Sequence, residues 1–119
     1  MTDRFLTKEA LIDRDIHHAF CDEMGEEITQ ELLVAFSNRL NTAIEQLTRA
    51  PVTPPTVIEL AHAIASTAEL LGCLALAKLA RDIDLHRNEP PEQLIDLDID
   101  TFVALLIQTR AFVESRLSG

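Results

Sequence analysis

The chain has 119 residues, 47% of them apolar, with twenty acidic against ten basic side chains and a formal net charge of −10 at pH 7. That length suits one domain, residues 1–119, around one core, and a mean hydropathy of +0.10 lies far from the signature of disorder. The acidic balance argues against holding a nucleic-acid backbone or an anionic membrane surface, and no apolar run reaches the roughly 18 residues that span a bilayer. With no signal-like apolar stretch after Met1-Thr2-Asp3-Arg4, the expectation is a soluble, self-repelling, cytoplasmic monomer. Cys21 and Cys73 are too few and too far apart for a disulfide framework and read as reduced, packed residues.

Three Gly, five Pro and no strand-length alternation of β-branched residues leave long uninterrupted segments of helix-forming composition, so the fold class is all-α. In chain order, Thr7 caps a first helix over about Lys8 to Met24, with Ile12, Ile16, Ala19 and Phe20 on one stripe, and Gly25 terminates it. A second helix follows over about Glu26 to Ala50, with Ile28, Leu32, Ala35, Phe36, Leu40, Ala43, Ile44 and Leu47 as its core face. Pro51-Val52-Thr53-Pro54-Pro55 makes a stiff connector to a third helix over about Thr56 to Leu71, stopped by Gly72. A fourth covers about Leu74 to His86 and ends before Asn88-Glu89-Pro90-Pro91. The stretch Glu92 to Ile99 is ambiguous, and a last helix over about Asp100 to Leu117 buries Phe102, Leu105, Leu106, Phe112 and Val113. Five such segments with short connections fit an antiparallel four-helix bundle with one additional helix.

The third helix holds the most informative residues. With Ile64 at the centre of its inward stripe and about 100° per residue, Val57, Leu60, Ala61, Ala68 and Leu71 share that side. Ile58, His62, Ala65, Ser66 and Glu69 then point away, so His62 stands on the solvent face among small side chains. A neutral imidazole with an ordinary pKa of about 6.5 is a competent nucleophile at neutral pH, and low surroundings let a partner approach it. Ser66, one turn on and rotated by about 40°, is near enough to donate to a group carried on the ring. Glu69 lies two turns on and acts on His62 only indirectly, while Ile58, an exposed apolar spot, is expected to form a partner-docking surface with Ala65 and Glu69.

This segment resembles the phosphoacceptor motif of histidine-containing phosphotransfer (HPt) domains, the relay modules of two-component phosphorelays. The matching residues are His62, Ile64, Ser66, Thr67, Ala68 and Gly72, with Gly72 ten positions after the histidine. Upstream, Met24-Gly25-Glu26-Glu27-Ile28 with Glu31-Leu32-Leu33 and Phe36 resembles the start of the family's second helix, so the likeness covers about Ile12 to Asp84. The departure is Ala65, where the family usually carries Lys. The resemblance implies a bundle of helices two to five, with the first helix at the N-terminus as its cover. It further implies His62 as phosphoacceptor, a phosphocarrier rather than an enzyme, and no cofactor. The partners it implies are receiver domains of response regulators or hybrid sensor kinases, which bring the phospho-aspartate and the divalent cation. An alternative from a different class is an HPt-like bundle that binds receivers or kinases without being phosphorylated, as an adaptor or sink. Arg39, Lys78 and Arg81 are the candidate substitutes for the missing lysine.

The remaining candidates read as structural. His17 with Cys21 and His18 with Asp22 have the i,i+4 spacing of helical metal ligands, but two ligands do not close a site, and these residues are expected at the surface or its boundary. No metal site is expected. His86 ends a helix, Gly72 reads as a C-cap, and Asp96, Asp98 and Asp100 alternate in a solvated loop.

Overall fold

A computed structural model describes residues 10–49, 51–89 and 98–118. Its helices are α1 (Arg14–Met24), α2 (Glu26–Thr48), α3 (Pro54–Leu70), α4 (Leu74–Asp84) and α5 (Ile99–Ser118), and no strand occurs among the described residues. The most extensive packing is of α3 on α4 and of α2 on α5. Smaller contacts join α2 to α3 and α4 to α5, and α1 lies against α2 and α3. The core is aliphatic apart from Phe36 and Phe102, with Leu33, Leu40, Ile64 and Leu106 among its most enclosed members. No described helix is long and apolar enough to cross a membrane.

The helix ends follow local chemistry, and two differ from the sequence expectation. The first helix does not run through residues 10–13. Asp13 is its cap, accepting from the Ile16 N–H at 3.1 Å, while the Asp13 N–H donates to the Gly72 carbonyl at 2.7 Å and Ala10 O accepts from Ala75 N at 3.1 Å. Residues 10–13 are therefore strapped along the α3–α4 turn, and their backbone groups are used there rather than in a helix. The proposed Thr7 cap and Lys8 start lie outside the described residues. At α3, Pro54 and Pro55 begin the helix instead of preceding it, because the first turn asks for no N–H from them. Gly25, at φ +87°, stops α1 as expected and opens α2.

Burial corrects the inward stripes on three helices. In α1, Ile16 and Ala19 are exposed and the fully buried residue is His17, which had been expected at the surface. In α2, Ile28 and Ala35 are exposed, whereas Leu33, Phe36, Leu40, Ala43 and Leu47 form the inner face together with Thr29 and Ser37. In α3, Ile58 and Ala65 are buried with Val57, Ala61, Ile64 and Ala68. Because α3 touches α2 on one side and α4 on the other, its buried arc spans about 120° centred on Ala61 rather than Ile64. The outward pole of α3 consequently falls at Ala63 and Ser66, both exposed.

Candidate functional site

His62 sits on the exposed part of α3 with its side chain 61% accessible. Its Nδ1 faces Asp84 Oδ2 at 3.2 Å, across the pair formed by α3 and α4. Asp84 is itself anchored: Arg87 Nε donates to Asp84 Oδ1 at 3.0 Å, and Arg87 also reaches Glu59 Oε2 at 3.7 Å. Burial alone would raise the Asp84 pKa, but the hydrogen bonds from His62 and Arg87 outweigh it and hold the carboxyl below its ordinary range. An ionised carboxylate only accepts, so His62 Nδ1 is the donor and the neutral ring carries its lone pair on Nε2. The arrangement is an exposed imidazole held in one tautomer by a carboxylate at the end of the neighbouring helix.

The surroundings of His62 are low, as the sequence indicates. Ala63 and Ser66 are exposed, whereas Ile64 and Ala68 are in the core. Two expected members of the docking surface are not there. Ile58 is buried, and Ala65, at 4% exposure, is enclosed between α3 and its neighbours, so neither presents a face to a partner. The exposed apolar surface of this region is instead Leu85, which directly follows Asp84 and is 79% exposed, and an apolar cleft of about 440 Å³ between α2 and α3 bordered by Arg39, Leu60 and Ala63. Glu69 is exposed but engaged by Arg81 on α4 rather than by His62. Of the three basic candidates, Arg81 is thus committed to Glu69 and Lys78 holds Asp82 at 2.9 Å. Arg39, beside Ala63 at the cleft, makes no ion pair among the described residues.

Gly72 does more than cap a helix. At φ +84° it occupies the left-handed region, and a Cβ there would lie 2.6 Å from Asp13 O and 3.1 Å from His17 N. Its hydrogen lets the start of α1 close onto the α3–α4 turn. His17 completes that junction, its Nδ1 donating to Leu71 O at 2.9 Å and its ring meeting Phe112 edge-on with centroids 5.1 Å apart. Cys73 is buried beside it, and burial pushes its thiol up to about 12. The acidic alternation at residues 96–100 has a structural use: Asp98 caps α5, accepting from the Thr101 N–H at 3.0 Å and the Thr101 hydroxyl at 2.6 Å, and both bonds lower its pKa. Asp100 is exposed on the first turn, Asp96 lies outside the described residues, and His86 lies in the turns beyond α4. No three His, Cys, Asp or Glu side chains cluster as a metal site among the described residues.

The residue that sequence reasoning missed is Asp84. Its signal is a mirror rather than a motif: 62 and 84 are equidistant from Cys73, as are 59 and 87, although the Glu69–Arg81 pair does not follow that symmetry. No family model, curated protein or solved structure matches this chain.

Proposed function

We propose that the chain is a histidine phosphotransfer protein, carrying a phosphoryl group on His62 between receiver-domain aspartates. The observation that carries this reading is the exposed His62 ring with Nδ1 tied to an anchored carboxylate and Nε2 left as the lone pair. We read α2 to α5 as an antiparallel four-helix bundle with α1 as its cover, the architecture that the HPt resemblance implies.

In the transfer step the Nε2 lone pair attacks the phosphorus of a receiver's aspartyl phosphate. The N–P bond forms as the P–O bond to the aspartate breaks, and the released carboxylate leaves with the electron pair. The ring becomes cationic because Nδ1 keeps its proton, and Asp84 faces that charge directly. The receiver supplies the divalent cation, Ser66 offers a hydroxyl to a phosphoryl oxygen, and Arg39 is the candidate for the charge that Ala65 lacks. Leu85, Leu60 and Ala63 provide the apolar part of the docking face. Onward transfer is the reverse step to a second receiver.

Incubation with phosphorylated receivers tests the reading. An acid-labile, base-stable label on wild type that is absent from His62→Gln is the expected result, with helical content and melting temperature nearly unchanged, since exposed substitutions usually shift stability by no more than about 0.5 kcal/mol. Full labelling of His62→Gln would show the site to be elsewhere. The adaptor reading is favoured by one observation, the buried alanine at position 65. Receiver binding without label would select it.

A further inference from the structure

A second cleft, of about 580 Å³, opens between α1, α2 and the last turns of α5, and the transfer chemistry at His62 does not use it. His17 and Thr29 line it and are 2% and 4% exposed, and neither His17 Nε2 nor Thr29 Oγ1 has a hydrogen-bond partner. Since Nδ1 is spent as a donor on the Leu71 carbonyl, Nε2 is an acceptor in the neutral ring. Burial first, and then the positive charges of Arg116, His18 and Arg14, lower the His17 pKa against the opposing effect of the carbonyl bond, which keeps the ring neutral. One lined wall thus holds a bare acceptor, and another a hydroxyl able to donate or accept. Buried polar groups left unmatched are costly, and a volume of this size is many times that of one water.

The rim carries charges that do not neutralise one another. Asp22 and Glu26 line the cleft, and so does Arg116, whose guanidinium lies 5.9 Å over the Phe112 ring; none of the three makes an ion pair among the described residues. The cleft therefore carries both charge signs at its rim, with an unmatched acceptor and an unmatched hydroxyl closed off in its wall.

We propose that this cleft binds a small zwitterion, a free α-amino acid or a molecule with the same ammonium and carboxylate pair. The ammonium donates to His17 Nε2 and to the carboxylates of Asp22 and Glu26. The carboxylate accepts from Arg116 and from the Thr29 hydroxyl. Both inner atoms are shielded from solvent, so a ligand reaches them only when side chains lining the cleft rearrange.

The test is calorimetric titration of the full chain with free α-amino acids, their decarboxylated amines and Zn²⁺, with the His17 ring nitrogens followed by NMR. At least one amino acid is expected to bind and to move the Nε2 resonance from a bare to a hydrogen-bonded position. Arg116→Gln and Asp22→Asn should each weaken it by about tenfold or more while leaving the ligand-free melting temperature essentially unchanged. Three results would overturn the proposal: no amino acid perturbing His17 at millimolar concentration, an amine binding as tightly as its parent amino acid, or Zn²⁺ binding alone and being lost in Cys21→Ser.

Discussion

His62 and His17 share a hydrogen-bonding pattern and differ in access. Each gives its Nδ1 proton to an oxygen on another element, Asp84 in one case and the Leu71 carbonyl in the other, and each is left with Nε2 as the free lone pair. His62 faces solvent over small side chains, whereas His17 is closed under α2 and Phe112. The acceptors differ as well. A carboxylate can face a ring that turns cationic, while at His17 burial outweighs the carbonyl bond and favours the neutral ring. The tautomer alone does not distinguish the two rings; exposure and a countercharge do.

The largest effect expected of a variant is at Gly72, which belongs to the His17 region. Gly72→Ala forces a left-handed residue and a Cβ against Asp13 O, costing about 3 kcal/mol in denaturant unfolding. Because the strain falls on the α1 junction, the His17–Leu71 bond should vanish while label acceptance by His62 is largely kept. Loss of both together would show that the two regions are one cooperative unit. Ala65→Lys comes next. With Ala65 in the core, the family's lysine has no exposed seat here and should cost about 2 kcal/mol by overpacking, read from a melting curve. A faster transfer at unchanged stability would mean that the backbone of α3 yields at this point.

Acidification separates the regions by a smaller and graded effect. His17 binds its proton more weakly folded than unfolded, so its contribution is fully present above about pH 6.5 and is lost as pH falls from there through the depressed folded value. His17→Leu should flatten that part of the stability profile. Asp84 and Asp98, also depressed, add stability that is present above about pH 3.9 and lost at lower pH, outside the histidine window. Asp84→Asn should change stability least, by up to about 1 kcal/mol for so exposed a pair. Its signature is kinetic, a fall of about tenfold in phosphoryl acceptance as the fixed tautomer is lost. An unchanged rate would leave Asp84 a surface ion pair.

The helical class, the breaks at Gly25 and Gly72 and the exposure of His62 were legible because each is local, set by periodicity or by one residue's conformational range. What failed was the width of the buried arcs. A helix touched from two sides, as α3 is, buries residues such as Ile58 and Ala65 that a single-stripe count sends outward. His17 was misread for a related reason: a polar side chain enters the core only when a distant group, here Leu71 O, takes its proton. Asp84 was invisible to any pattern within one helix, since its meaning depends on the fold-back at Gly72.

That fold-back also governs what lengths the chain tolerates. Partners placed symmetrically about Cys73 depend on a turn of fixed size, as the coupling of 62 with 84 and 59 with 87 shows. One residue inserted or deleted between Leu71 and Leu74 would rotate α4 by about 100° relative to α3 and carry Asp84 away from the imidazole. Substitutions on this surface are individually mild, but a change of length in the turn would disassemble the whole polar face at once, so the hairpin between α3 and α4 should vary in composition and not in span.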